Sequence, residues 1–358
     1  MGVRKDRWEV GSEFAWSDCF ADTEKPWPLS GPRQFFATGR AALIALGQKL
    51  SPNTRLRLFV PTYFCPQVSA SLKPWFKLHF FVDLPAEPGP RLDTLKANAG
   101  DLVLAVNFFG TREQGVWNEY LASSRGVILV EDHTHDPFSP WAQRSRAPYA
   151  FSSLRKTLPV SDGAVLWSPE GQPLPAPPLP ASPGSYWKFE AMVLKSAYLK
   201  GAPVKKEDFR RLQIDGENEL EKNTGGSVCD LTRIALPLLP VRKLRQKRAR
   251  NVKDFLKLID GGGRPFSPLF TEWPKGGAPF GVVLLCNSTE TREKLLAWLV
   301  ANNIYPPVHW RIPATSTISQ GLREHEELSS RLLTIPVDHR LNPADVERVA
   351  SIVASFSE

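Results

Sequence analysis

The stretch VILVEDHTHDP, residues 127 to 137, decides how this chain is read, together with FSSLRKTLPVSDGAVL at 151 to 166. Residues 127–130 form a short apolar run rich in β-branched side chains, the pattern of a strand buried on both faces of a parallel sheet. It ends at once in Glu131 and Asp132. Open α/β sheets bind their ligands at the carboxyl ends of such strands, so two carboxylates stand where chemistry is expected. Lys156 follows in a segment with little local charge except Arg155, behind Ser152 and Ser153 and ahead of Asp162-Gly163. A carboxylate to hold a protonated ring nitrogen, an amine to form an imine and hydroxyls to hold a phosphate are what a pyridoxal phosphate site requires. The expectation is a pyridoxal phosphate enzyme.

Working outward, strands and helices alternate as in a parallel α/β domain. Strands are expected at 56–60, 78–83, 101–107, 126–130 and 164–167. A helix at 41–50 carries Leu43, Leu46 and Leu50 on one face. The segment SPEGQPLPAPPLPASPG, 168 to 184, is too rich in proline for regular structure and reads as a loop or flap without a domain break. A mixed, helical region at 186–212 and a basic helix lead to a second α/β unit. That unit has a strand at 281–285, a helix at 291–302 and a terminal helix at 343–356 opened by Asn342. The fold class is α/β, with a large, mostly parallel sheet domain over 1–236, N-terminal extension included, and a small C-terminal α/β domain over 237–358. No internal repeat is visible.

Bulk properties agree. A chain of 358 residues with 42% hydrophobic content buries a large core. Cys19, Cys65, Cys229 and Cys286 form no CxxC pair or metal-ligand spacing, so no metal site is expected. No apolar run approaches the roughly 18 residues of a membrane span, and MGVRKDRWEV lacks the apolar core of a secretory signal, which implies a cytoplasmic setting without a membrane partner. The formal charge of +8 raises the question of nucleic acid, but seven of the basic residues sit in RKLRQKRARNVK, 242 to 253. Outside that segment 38 basic residues face 37 acidic ones. Leu244, Val252, Phe255 and Leu256 form an inward stripe there, which leaves the charges as a solvated helix face or a site for a phosphorylated ligand. No nucleic-acid motif accompanies them, and no nucleic-acid partner is expected.

The order ATGRAAL (37 to 43), FVPTYFCPQV (59 to 68), FFVDL (80 to 84), AVNFFG (105 to 110), VILVEDHTHD (127 to 136), Ser-Ser-x-x-Lys ending at Lys156, NNIYPPVHW (302 to 310) and LLTIPVDHRLNPADVERV (332 to 349) resembles the DegT/DnrJ/EryC1/StrS aminotransferases. These are fold type I pyridoxal phosphate proteins, most of which aminate keto-sugars attached to nucleotides. The resemblance covers residues 35 to 355. It implies Lys156 as the imine-forming lysine and proton carrier, Asp132 as the partner of the pyridinium nitrogen, and His135 beside the ring hydroxyl. Thr38, Gly39, Arg40 and Ala41, at a helix start, imply backbone donors for the phosphate, with a hydroxyl from Ser152 or Ser153. Tyr63 and Phe64 lie where the family carries an aromatic that stacks on the ring, although the usual stacking slot holds Cys65. Asn223 stands in the region that reaches the partner subunit's cofactor, and His309 lies near the substrate entrance.

This chain departs from the family at Arg40, where Ser-Gly-Thr is usual, at 161–164, where Ser-Asp-Gly-Ala replaces Gly-Glu-Gly-Gly, and at EKNTGGSVCDLTR, which lacks a Tyr-Arg pair. The expected activity is transfer of an amino group from an amino-acid donor to a keto-sugar, nucleotide-linked, in polysaccharide or cell-surface glycan biosynthesis, by a homodimer. The alternatives are another pyridoxal phosphate reaction, such as a lyase or decarboxylase, and a catalytically idle binding protein of the same fold.

Overall fold

The computed structural model describes residues 7–17, 27–312 and 323–357. Its strands are β1 (Val10–Gly11), β2 (Arg33–Phe36), β3 (Arg57–Pro61), β4 (Lys77–Phe81), β5 (Leu102–Val106), β6 (Ile128–Asp132), β7 (Tyr149–Ser153), β8 (Ala164–Trp167), β9 (Phe266–Pro268), β10 (Val282–Cys286), β11 (Ile304–Tyr305) and β12 (Leu332–Ile335). The helices are α1 (Gly39–Leu50), α2 (Pro66–Leu72), α3 (Gly115–Ser123), α4 (Pro140–Gln143), α5 (Pro183–Leu199), α6 (Lys206–Lys222), α7 (Asp230–Ala235), α8 (Val241–Leu258), α9 (Thr289–Ala301), α10 (Arg323–Arg331) and α11 (Pro343–Ala354). No described helix is long and apolar enough to cross a membrane.

Seven strands form the main sheet in the order β2-β8-β7-β6-β5-β3-β4. β8 runs antiparallel to both its neighbours, and the other pairs are parallel, so β8 alone opposes the common direction. Every residue of β5 and of β7 is buried, as expected of strands covered on both faces. The parallel strands therefore deliver their carboxyl ends to one edge. Two strands of the main sheet escaped the sequence reading, β7, whose Tyr-Ala-Phe-Ser-Ser has no β-branched aliphatic residue, and the short β2, as did β1, β9, β11 and β12 outside it. β6 also continues through Glu131 and Asp132 rather than stopping before them.

Residues 168–182 contain no helix and a single isolated bridge, between Leu179 and Gly226, in keeping with their proline content. Beyond them the mixed region resolves into two 17-residue helices, α5 and α6. Ser182 caps α5, its hydroxyl accepting from the Gly184 N–H. A Cβ on Gly184 would overlap the carbonyl oxygen of Gly216, so these glycines let the two helices approach closely. That contact sets Lys188 of α5 beside Glu217 of α6.

The C-terminal residues build a three-stranded antiparallel sheet, β12-β10-β9, over a core that includes Phe255, Leu295, Leu299 and Val349. Val10 belongs to the same core because β1 pairs in parallel with β11. α8 reaches two cores: Val241 and Leu244 pack with Phe138 and Trp167 under the main sheet, and Val252 and Phe255 pack in the C-terminal cluster. Its basic face is not wholly solvated, contrary to the expectation. Arg245 donates twice to the buried Asp136, both at 2.8 Å, and Arg248 donates to the same carboxylate at 3.1 Å. The Ala278 N–H adds a fourth bond, at 3.0 Å. Asp136→Asn keeps the shape but removes the charge that the two guanidinium groups face. We expect it to lower stability by about 2–3 kcal/mol, the scale of hydrogen bonds to charged groups; the midpoint of urea unfolding measures this, and an unchanged midpoint would contradict the clamp.

Candidate active site

The carboxyl ends of β5, β6 and β7, the start of α1 and the turn after β7 surround one cavity of about 190 Å³. Strand alternation decides which side chains reach it. In β7, Phe151 and Ser153 face the cavity, whereas Ser152 turns to the other side and donates to the His133 carbonyl at 3.2 Å. Of the two serines left open by the sequence, Ser153 is the one at the site, and Ser152 is corrected to a structural residue. A turn of 3-10 helix, Leu154–Lys156, then brings Lys156 over the cavity with its side chain exposed to it. The loop beyond is anchored by the buried Asp162, which accepts from the Ser185 hydroxyl at 2.7 Å and the Cys229 N–H at 2.9 Å.

Asp132 lines the same cavity at the end of β6. Its carboxylate accepts from the Thr134 N–H at 2.9 Å, and among the described residues no cation pairs with it. Burial raises its pKa, an effect partly offset by the Thr134 hydroxyl and N–H. A buried carboxylate without a cation is costly unless a ligand supplies the positive charge. Lys156 is shifted the other way, down to about 8, first by the adjacent Arg155 guanidinium and then by burial. About a tenth of its amine is therefore neutral at pH 7, far more than for an ordinary lysine.

His135 accepts the Phe109 N–H at Nδ1, at 2.9 Å, which places its proton on Nε2. Burial, then His309 and Lys156, push its pKa well below the usual value, so the ring is neutral and is a donor through Nε2. His309 lines the cavity too, with Nδ1 at 2.9 Å from the Thr334 hydroxyl. Burial, then Lys156, lower its pKa to about 3.

At the start of α1, the Thr38 hydroxyl accepts from the Ala41 N–H at 3.1 Å. That cap consumes the Ala41 donor, and the Ala41 side chain lies in the core, so Ala41 is removed from the expected phosphate contacts. Thr38, Gly39 and Arg40 line the cavity. Arg40 also lies 3.8 Å from Glu221. Phe64 and Cys65 form part of the wall, but Tyr63 does not: it is buried against Phe108 and Trp310, and its hydroxyl donates to the His309 carbonyl. Tyr63 is thus a core residue rather than a stacking platform. Asn223 is away from its own chain's cavity and donates to the Pro180 carbonyl at 3.2 Å.

Several cavity residues were not anticipated. Thr134 follows Asp132 in an Asp-x-Thr arrangement, a local turn signal that was available in the sequence. Asn107 directly follows β5 and is held by Ser139 and the Arg112 N–H. Glu217 of α6 pairs with Arg155 at 2.6 Å and Lys188 at 2.8 Å. Against the burial that opposes ionisation, Arg155 and Lys188 hold it well below the usual carboxylate range. Nothing in the pattern of α6 distinguishes Glu217 from its other acids.

No family model matches the sequence, and no curated protein matches it either. Solved structures do match. Helicobacter pylori PseC, an aminotransferase involved in the biosynthesis of pseudoaminic acid, is 12% identical with a TM-score of 0.62, over 97% of this chain and 98% of its own. The putative sugar aminotransferase Spr1654 from Streptococcus pneumoniae, in its PLP form, is 12% identical with a TM-score of 0.62, over 92% of each chain. A DegT/DnrJ/EryC1/StrS aminotransferase from Brucella abortus is 14% identical with a TM-score of 0.55, over 90% of this chain and 84% of its own. The chain has the fold of these aminotransferases, a mixed α/β architecture of fold type I, in agreement with the order of its motifs.

Proposed function

We propose that this protein is a pyridoxal phosphate-dependent aminotransferase of the DegT/DnrJ/EryC1/StrS kind, moving an amino group from an amino-acid donor to the carbonyl of a keto-sugar. The observation that carries this reading is the pair formed by Asp132 and Lys156: a buried carboxylate lacking a cation and an amine of lowered basicity face one cavity at the sheet's carboxyl edge. The residues present fit the cofactor. Asp132 would meet the ring nitrogen, the His135 Nε2–H the ring oxygen, and the α1 start with Ser153 the phosphate. Bound there, pyridoxal phosphate supplies an aldehyde that condenses with amines and a ring that accepts the electron pair left when a Cα–H bond breaks.

The chain's own groups do the rest. Asp132, oriented by Thr134, would keep a proton on the ring nitrogen it holds. Lys156, in its neutral form, is the amine that would hold the cofactor's aldehyde carbon, with loss of water, and the base that would carry a proton between two carbons when not so engaged. His135 stays neutral and donates without competing for protons. For the wider role, the names of PseC and Spr1654 support a sugar acceptor, and we extend that reading to a nucleotide-linked sugar in glycan synthesis within the cytoplasm. The test is borohydride reduction of purified protein loaded with pyridoxal phosphate, followed by peptide mass mapping. The label is expected on Lys156; a label centred on another lysine would overturn the assignment.

We further propose a homodimer. Leu231, Ile234 and Leu238 recur on one face of α7 and the turn after it and are exposed, Ile234 by 65%. Such a patch suits a second copy related by two-fold symmetry. Light scattering at micromolar concentration is expected to give the mass of two chains, and Ile234→Asp that of one. A monomeric parent protein would refute the proposal. Asn223, set away from its own cavity, is the residue we assign to the partner's site. Mixed Lys156→Ala and Asn223→Ala subunits should then regain part of the activity.

A further inference from the structure

A second chamber, of about 470 Å³, adjoins the first and shares Arg155, Lys156, Glu217, Phe280 and His309 with it. Its outer wall is residues 11–14, a strap from the N-terminal segment. The strap is held at both ends. Val10 pairs with Ile304, Lys195 donates to the Ser12 hydroxyl and the Glu13 carbonyl at 2.7 and 2.8 Å, and the Arg340 guanidinium lies 4.5 Å from the centre of the Phe14 ring.

The walls of this chamber carry six cationic side chains against three carboxylates, and one of the six, Arg248, is already paired with Asp136 behind the wall. Two of the three carboxylates have fixed partners in the protein: Asp338 pairs with Arg340 at 2.6 Å, and Glu217 with Arg155 at 2.6 Å and with one side of Lys188 at 2.8 Å. The third, Glu13, reaches in from the strap to Lys188 at 2.8 Å and keeps 38% of its side chain exposed. Lys188 is itself almost completely buried, 3% exposed. An excess of cations in the walls and one carboxylate arriving on a separate strand of chain together describe an oxyanion site occupied by a substitute.

We propose that the second chamber binds the oxyanion, carboxylate or phosphate, of a small molecule that approaches Lys156, and that Glu13 of the strap occupies this position on Lys188 until the ligand displaces it. The strap is then the element that selects ligands: an anion must compete with Glu13, and a neutral molecule gains nothing from Lys188. This claim does not rest on the cofactor, because the chamber and its charges belong to the chain alone.

The experiment is isothermal titration of the purified full-length protein with inorganic phosphate and, separately, with glutarate. Glu13→Gln removes the internal competitor and is expected to tighten binding about tenfold, since a site that is mostly occupied reports a correspondingly weakened affinity. Lys188→Gln is expected to lose binding. Glu190→Gln, an exposed position on α5 with the same change in net charge, is the control and should leave affinity as it is. Tightening for both probes, or for one of them, supports the proposal and in the second case names the oxyanion. Equal affinity in the parent and Glu13→Gln proteins, equal tightening in Glu190→Gln, or no binding by any form overturns it. The thermal midpoint of each variant verifies folding, and borohydride labelling of Lys156 reports on the cofactor reading separately.

Discussion

Lys156→Ala is expected to abolish fixation of the cofactor by borohydride and to lower amination by about four orders of magnitude, the upper end of what a positioned proton-transfer group contributes. The loss should not be one of folding. Lys156 is exposed to the cavity, and among the described residues it has no ion-pair partner, so truncation leaves no buried group stranded. Its stability is expected to stay within about 0.5 kcal/mol of the parent. The pH dependence of cofactor capture carries a second signature. The lowered pKa means that protonation begins to remove the reactive amine below about 8 rather than near the ordinary lysine value. Capture should therefore speed up as pH rises through about 8 and then level off. A rate still climbing toward pH 10 would show that the Arg155 guanidinium and burial do not tune this amine, and unchanged turnover in Lys156→Ala would remove it from the mechanism.

The parts of this site that were legible in the sequence are those set by strand ends. An apolar run closed by Glu131 and Asp132 announces a buried strand and the place where it opens, and Lys156 stands out in a segment of low charge. Alternation of side chains explains why the serines could not be separated. Which of Ser152 and Ser153 faces the cavity depends on the register of β7, and β7 is composed of residues that do not advertise a strand. Tyr63 was misplaced for a related reason: Tyr63, Phe64 and Cys65 turn successively as the chain leaves β3, and only packing against Trp310 shows that the tyrosine points inward.

Long-range pairing hid the remainder. Glu217 acquires its role from Arg155, 62 positions away, and from Lys188, which the Gly184–Gly216 contact brings alongside. The strap is a more extreme case, since Glu13 meets Lys188 across 175 positions. Such contacts follow from the close packing of α5 on α6 and from β1 joining β11, neither of which leaves a local pattern. Arg245 and Arg248 show the same principle on a helix whose charge suggested solvent: helical spacing placed them on one side, and a buried Asp136 made that side internal.

Asp132→Asn separates the demands of folding from those of function. The substitution is isosteric and retains an oxygen to accept from the Thr134 N–H, so the turn at 132–134 should persist. In the cofactor-free protein it removes a buried carboxylate with no cation beside it among the described residues, and we expect the variant to be as stable as the parent or more so, because an uncompensated buried charge opposes folding. The sign with pH follows from the direction of the shift. A carboxyl whose pKa is raised on folding binds more protons in the folded than in the unfolded state, so the parent gains stability as pH falls into the range where Asp132 protonates. The difference between the two cofactor-free proteins should narrow on acidification. Activity should move the opposite way. A neutral amide does not keep the ring nitrogen protonated, and amination is expected to fall by about three orders of magnitude, roughly 4 kcal/mol in the barrier. A variant that is destabilised and inactive together would mean that Asp132 serves the fold. One that is stable and inactive means that the carboxylate is retained, at a cost to folding, for the positive charge it faces when the site is filled.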